Sequence, residues 1–337
     1  MSIGNYDVGI CGEEWVKELT LKFGSRIDIL KRYSYGRTKV FVARSPFSRD
    51  GDDIRIVSEM PNIAENFALR RRIKRFRIFG VWGASWVYPP EDSELCVIRA
   101  NSEEDVRSLC LEPVELLMDA SPVLIVNRKS LSEKDLSPVI SPLLSSDAHG
   151  GAEAFPCEEF EMEEALLSIA LPDGHQEKHC SLFLKERGLI LDGYPGKRRP
   201  KLALSGVRAK VIRPQDMPFQ VACSNFDLAI TGRDWLMDHL NLFPNSPVEE
   251  LLDLGFGRVR IVSAVHEKFE PQSPVRIVSE YVNIADSYGR RNHLRYKVIP
   301  SWGATEAFLP EDGDIPVSYT HLRAHETRHD LVCRLLL

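Results

Sequence analysis

The sequence predicts an α/β protein made of two tandem copies of one two-lobed unit, each copy with a ligand cleft between its lobes. Three observations predict it. Leu228, Ala229 and Ile230 form a short apolar run, as expected of a strand buried in a parallel sheet. Thr231-Gly232 then turns the chain, and Trp235, Leu236 and Leu240 follow at helical spacing. The same pattern occurs earlier, as Tyr6-Asp-Val-Gly-Ile-Cys-Gly-Glu-Glu-Trp-Val-Lys-Glu18 against Phe226-Asp-Leu-Ala-Ile-Thr-Gly-Arg-Asp-Trp-Leu-Met-Asp238.

The two copies continue in step. Ile54-Arg-Ile-Val-Ser-Glu-Met-Pro-Asn-Ile-Ala64 returns as Val275-Arg-Ile-Val-Ser-Glu-Tyr-Val-Asn-Ile-Ala285. Trp82-Gly-Ala-Ser-Trp86 returns as Trp302-Gly-Ala-Thr-Glu306, each reaching a Pro-Glu-Asp soon after. The blocks lie about 220 positions apart, a span that suits one globular unit rather than a short solenoid repeat. The second copy starts near residue 165, roughly sixty residues before its Thr-Gly turn, whereas the first has only a few residues before Tyr6. The first copy is therefore expected to lack its opening strands and helices, and Met1 to be an internal start or the edge of a fragment.

The first copy is expected over residues 1–145, with lobe I at 1–48 and 116–145 and lobe II at 49–115. Residues 37–43 and 54–58 read as strands, 61–73 as a helix and 76–81 as a strand. From Glu112 a helix is expected, then a strand at Val123-Leu-Ile-Val126 that returns to the first lobe. Residues 132–164 read mostly as linker, with 146–164 as the linker between copies, rich in Gly and acidic residues. The second copy spans 165–316, lobe I at 165–270 and lobe II at 271–316. The run Arg70-Arg-Arg-Ile-Lys-Arg-Phe-Arg77 and its counterpart at 290–297 fit solvated helix C-termini better than a nucleic-acid surface.

Residues 317–337 bear no relation to the first copy and resemble translated adapter read-through, so they are set aside as a non-native tail. His321, His325 and His329 fall at metal-ligand spacing on a helix but belong to that tail, and no metal site is assigned. If the second copy lacks the segment that returns to the first lobe, part of a sheet edge is left unpaired, an aggregation risk.

The formal net charge is −6, and because the tail carries three arginines against two acids, the remainder carries −7. Such a body argues against non-specific nucleic-acid binding, so an anionic substrate has to be held by local helix ends and a few arginines. The seven cysteines are scattered without a Cys-x-x-Cys pair. With no signal peptide and no apolar run long enough for a bilayer, a cytoplasmic protein without a membrane partner is expected.

Together, Leu167-Ser-Ile-Ala-Leu-Pro172, Arg213-Pro-Gln-Asp-Met-Pro218, Phe226-Asp-Leu-Ala-Ile-Thr-Gly-Arg-Asp234, Leu252-Asp-Leu-Gly-Phe-Gly-Arg258 and Ser121-Pro-Val-Leu-Ile-Val-Asn-Arg-Lys-Ser-Leu131 resemble the ATP phosphoribosyltransferases, which open histidine biosynthesis. The resemblance covers most of the chain up to about residue 316. It implies two-lobed, periplasmic-binding-protein-like (type II) units. It also implies ATP and phosphoribosyl pyrophosphate as substrates, with Mg²⁺ carried by the substrate. It leaves open whether a separate regulatory subunit exists, and it suggests either a homo-oligomer or a pseudo-dimer within one chain.

By that resemblance Thr231 and Gly232 lie on the nucleotide side of the cleft, with a plain strand-to-helix connection as the alternative. Arg213 is expected to meet a phosphate and Asp216 a hydroxyl or amine, unless the two form a salt bridge that braces a loop. Glu306 matches a glutamate of the family, or else is a carboxylate favouring a helix start. The family's basic Pro-Lys-Gly-Arg loop is here Pro172-Asp173-Gly174-His175: Gly174 is kept, and His175 can still donate hydrogen bonds. The first copy departs further, with Cys11 for Thr231, Trp86 for Glu306, and Ala100-Asn-Ser-Glu-Glu-Asp105 where a Thr-Gly-x-Thr-Leu phosphate loop should stand. It is therefore expected to be a non-catalytic structural or regulatory copy, no catalytic residue is assigned, and little or no product is expected from this chain. The alternative is a non-catalytic small-anion or nucleotide-binding module of the same fold.

Overall fold

Both copies of the Arg-Ile-Val-Ser block are strands inside a five-stranded sheet, where β-branched side chains pack on both faces. The structure is a computed structural model that describes residues 6–22, 26–48, 53–145, 167–266, 273–320 and 331–335. It divides into two units, Met1–Glu164 and Ala165–Leu337.

The first unit runs β1 (Val8–Gly12), α1 (Glu13–Lys22), β2 (Ile27–Arg32), β3 (Thr38–Arg44), β4 (Ile54–Ser58), α2 (Pro61–Arg70), β5 (Phe76–Gly80), β6 (Leu95–Ala100), α3 (Glu103–Ser108), β7 (Glu112–Ala120), β8 (Pro122–Asn127), α4 (Arg128–Glu133) and α5 (Ser137–Ser145). One lobe is the antiparallel sheet β1-β8-β2 and the other the sheet β5-β4-β6-β3-β7. Pro61 opens α2, whose Ile63, Ala64, Phe67 and Ala68 are buried against Val40, Ile56 and Val97 of the larger sheet.

The second unit runs β9 (Leu167–Pro172), α6 (His175–Glu186), β10 (Leu191–Asp192), β11 (Lys201–Leu202), β12 (Val207–Ile212), α7 (Met217–Ala222), β13 (Leu228–Ala229), α8 (Arg233–Leu242), β14 (Arg260–His266), β15 (Val275–Ser279), α9 (Val282–Arg291), β16 (Tyr296–Pro300), β17 (Ile315–Thr320) and β18 (Leu331–Leu335). Its first lobe holds the parallel sheet β12-β9-β13 with the β10-β11 hairpin, and its second the sheet β16-β15-β17-β14-β18. That second sheet repeats β5-β4-β6-β3-β7 strand for strand.

In both units a carboxylate on the helix after the Thr-Gly or Cys-Gly turn caps the first helix of the other lobe. Glu18 of α1 accepts from the N–H groups of Asn62 and Ile63, both at 2.8 Å. Asp238 of α8 accepts from Asn283 N–H at 3.0 Å and Ile284 N–H at 2.9 Å. Each satisfies donors that a helix N-terminus leaves open.

Several expectations change. Residues 112–120 are the strand β7, not a helix: Glu112, Val114 and Leu116 face out while Pro113, Glu115 and Leu117 are half-buried, a period of two. Glu115 of that strand takes up Arg70 at 3.2 Å and Arg71 at 2.5 Å, which places the basic cluster on a helix end. β3 and β14 belong to the larger sheets, so the first crossing between lobes lies before residue 38 in one copy and before 260 in the other, rather than at 48 and 270. Residues 132–145 are not linker. Asn127 caps α4, accepting from Lys129 N–H at 3.0 Å, and Ile140 of α5 is buried beside Tyr33, Leu124 and Val126. In the first copy the turn motif follows a strand of an antiparallel sheet, because β8 takes its exposed side.

Of the segment set aside at 317–337, the described residues 317–320 and 331–335 also enter the fold. Val317 is buried in the core with Ile277 and Ile315, its carbonyl accepting from the Ser279 hydroxyl at 2.6 Å, and residues 331–335 pair with β14 as β18. His321, His325 and His329 lie outside the described residues.

Candidate functional site

β12 and β13 both run parallel to β9, so the carboxyl ends of all three strands open on one edge of the sheet. Ligands of open parallel sheets bind at that edge. β9 leads through Asp173-Gly174 into α6, β12 through Arg213 and Asp216 into α7, and β13 through Thr231-Gly232 into α8. The fold thus brings Gly174, His175, Arg213, Asp216, Thr231 and Gly232 to one edge.

Each is held by local chemistry. Gly174 has φ +68°, a conformation that favours glycine, and a Cβ there would meet no atom within 4 Å. His175 is the first residue of α6. Thr231 donates its hydroxyl to the carbonyl of Pro214 at 2.9 Å, tying the exit of β13 to that of β12. A Cβ on Gly232 would strike the Asp234 carboxylate and sit 3.0 Å from Gln176 Nε2, so the first turns of α6 and α8 converge there.

Arg213 does not brace Asp216. Its Nη1 lies 3.2 Å from Oδ2 of Asp173, and the same oxygen accepts from Arg198 Nη1 at 2.8 Å. Asp173 is buried, at 9 % exposure. Asp216 is buried too, at the start of α7, where its N–H donates to the carbonyl of Arg213 at 3.0 Å.

Glu306 is in the second lobe, on the short 3-10 turn Thr305–Phe308. Its field reaches Glu280, whose carboxyl is pushed up by burial first and then by Glu306 and Asp234. Tyr281 donates its hydroxyl to Asp234 at 2.6 Å, and burial followed by Asp234 pushes that phenol up. Asp234 of one lobe and Glu280 and Glu306 of the other therefore make an acidic wall. The sequence pattern alone assigns no role to Arg198, Asp234 or Glu280. Asp234 stood inside a quoted motif, but Arg198 comes from the hairpin region, where no pattern marks it.

The first copy fills the matching places from within. Asp105 accepts from the N–H groups of Asn101 and Ser102, both at 3.0 Å, while its own N–H donates to the Ser102 hydroxyl at 3.1 Å. This capping box puts a carboxylate on the donors that a phosphate would use. Arg99 lies 3.6 Å from both Glu14 and Glu59, the counterparts of Asp234 and Glu280. Trp86, in the place of Glu306, packs on the core of that lobe. Burial, then Glu14, pushes the Cys11 thiol up.

A groove of about 1100 Å³ in the second unit lies along β13 and the segment at 247–261, with Thr231 and Gly232 in its wall. Among the described residues no group of three or more His, Cys, Asp or Glu is arranged to hold a metal ion, and no helix is long and apolar enough to cross a membrane.

A protein-family model described as HisG: ATP phosphoribosyltransferase matches residues 1–146 and 213–315. The ATP phosphoribosyltransferase of Saccharolobus solfataricus is 34 % identical over 136 residues, 36 % of this chain and 44 % of that protein. That of Prosthecochloris aestuarii is 32 % identical over 178 residues, 48 % of this chain and 58 % of that protein. The chain thus spans about half the length of these curated relatives. Among solved structures, the ATP phosphoribosyl transferase (HisG:HisZ) complex from Thermotoga maritima aligns with 18 % identity and TM-score 0.37, covering 42 % of this chain and 69 % of that one.

Proposed function

Because the chain belongs to the ATP phosphoribosyltransferase family, we propose that its second copy derives from the half of an enzyme that joins ATP to phosphoribosyl pyrophosphate. The products of that reaction are phosphoribosyl-ATP and pyrophosphate, in cytoplasmic histidine biosynthesis. The observation that supports this most is the convergence of three parallel strand ends carrying Gly174, Arg213 and Thr231-Gly232 on one edge.

In that reaction the bond from the ribose anomeric carbon to the pyrophosphate oxygen breaks and a bond to an adenine nitrogen forms. The protein's part is to align two polyanions and stabilise the departing charge. The first turns of α6 and α8 offer backbone N–H groups, Arg213 and Arg198 offer guanidinium charge, and Asp216 and Glu306 face hydroxyls or the amine. Mg²⁺ would enter as the counter-ion of the pyrophosphate. A homo-oligomer, an intrachain pseudo-dimer or a separate regulatory subunit goes with the same reading.

This chain is expected to make little or no product. Asp173 already pairs with both arginines and offsets one of their two charges, and Asp105 occupies the loop donors of the first copy. The first copy is then a structural or regulatory one, and the second a binding module for nucleotides or small anions. An assay of the full chain with ATP, phosphoribosyl pyrophosphate and Mg²⁺ tests this: turnover in the ordinary enzyme range of about 1 s⁻¹ or more would sink the proposal of low activity.

A further inference from the structure

In the first unit one arginine holds carboxylates from both lobes. The Arg99 guanidinium lies 3.6 Å from Glu14, in the first turn of α1, and 3.6 Å from Glu59, just after β4. It also stands over the Trp15 ring, 5.9 Å from the centroid. Glu14 is only 3 % exposed, so its charge depends on that counter-ion.

The second unit keeps the acids and the ring but not the arginine. Asp234, Trp235 and Glu280 stand where the first unit has Glu14, Trp15 and Glu59. The strand registers locate the counterpart of Arg99. Ser58 pairs with Val97 and Ser279 with Val317, so Arg99, two residues on, corresponds to Tyr319. Glu306, in the place of Trp86, adds a third carboxyl. Among the described residues neither Glu280 nor Glu306 has an ion-pair partner. Asp234 takes only uncharged donors there, the Tyr281 hydroxyl at 2.6 Å and the Trp235 N–H at 3.0 Å.

Aromatic rings flank these acids. The Trp235 and Tyr281 centroids are 4.4 Å apart, and Tyr319 meets Tyr281 edge to face at 6.4 Å. The acids also crowd one another. Burial, then Glu306 and Asp234, pushes the Glu280 carboxyl up, and burial, then Glu280 and Asp234, pushes the Tyr319 phenol up. Carboxylates beside aromatic faces suit an organic cation, which gains from both. The first unit shows which cation fits: a planar guanidinium that forks between two acids.

We propose that the cleft of the second unit binds a small molecule through a guanidinium group, held by Asp234, Glu280 and Glu306 where Arg99 stands in the first unit. The ligand does from outside what Arg99 does from within, offsetting the acids of both lobes at once. This rests on the reading of the second copy as a binding module and adds the charge class of what it holds.

The test is titration calorimetry of the full chain with methylguanidinium chloride, at an ionic strength held constant with sodium chloride. Saturable binding with a Kd on the order of 1 mM is expected. Glu280→Gln and Glu306→Gln are each expected to weaken it at least about fivefold. Tyr319→Arg, which restores the guanidinium of the first unit, is expected to abolish it, and melting curves check that each variant is folded. Absence of saturation, or binding by folded Glu280→Gln and Tyr319→Arg equal to that of the parent, overturns the proposal. So does displacement of methylguanidinium by an equal concentration of Mg²⁺, since that gives the carboxylates to a metal. Pyrophosphate, titrated separately, reports on the underlying reading. If it binds and methylguanidinium does not, the cation site alone is overturned; if neither binds, the binding-module reading falls with it.

Discussion

Oδ2 of Asp173 lies 3.2 Å from Nη1 of Arg213, so an acid carried on the β9–α6 turn occupies the charge of the arginine that leaves β12. The same oxygen takes Arg198 at 2.8 Å. A buried carboxylate between two guanidiniums does what a bound phosphate oxygen would do, and it does so without a ligand.

Removing that charge while keeping its shape is expected to open the edge to polyanions. Asp173→Asn should bind pyrophosphate about tenfold more tightly than the parent, roughly 1.4 kcal/mol. The gain should shrink with added salt, because the arginines are partly exposed. Titration calorimetry at two ionic strengths measures both effects, and a folded variant with unchanged affinity would show that the arginines do not face the ligand.

The capping box of the first copy makes a separate prediction. Asp105→Ala removes the acceptor for Asn101 and Ser102 N–H and is expected to destabilise that unit by about 1 kcal/mol. It should add no phosphoribosyl transfer, since Glu103 and Glu104 still stand at the helix start. A thermal melt with an activity assay checks both parts.

The repeat was legible because it rests on the apolar pattern of the larger sheet. Ile56 and Ile277 are fully buried at matching positions, and the strand order around them is the same. The gathering of Gly174, Arg213 and Thr231 was legible as well, since each ends a strand and opens a helix. The partner of Arg213 was not. Asp173 stands where the family's loop carries lysine, and its two arginines come from separate segments that the fold alone brings together. Residues 112–120 were misread because Leu116, Leu117 and Met118 suggest a helix locally, whereas pairing with β3 selects the extended form. The lobe boundaries failed for a similar reason: nothing in residues 38–44 says which of two sheets that strand joins.

The cap between lobes should be worth more than an exposed one. Glu18 is 9 % exposed and serves two backbone donors. Glu18→Ala leaves both without that acceptor and is expected to cost about 2 kcal/mol, a fall in melting temperature of several degrees for a unit of this size. Glu18→Gln keeps one acceptor oxygen and should recover part of the loss. Equal melting of all three proteins would mean that the cap contributes nothing in solution.

The second unit should carry an acid-sensitive link of its own. Asp227 accepts from Ser168 N–H at 2.7 Å and from the Ser168 hydroxyl at 2.8 Å, joining the start of β13 to β9. Those bonds hold its carboxyl below the ordinary 3.8, the Ser168 N–H first and the hydroxyl next. With the folded state favouring the charged form, the unfolded chain binds more protons as pH falls below 3.8, so the contribution is complete above that pH and is lost beneath it. Asp227→Asn cannot titrate. Urea unfolding at pH 6 should therefore find the parent more stable than the variant, and the gap should narrow at pH 3; a gap that is the same at both would mean that the Ser168 bonds do not depend on the charge.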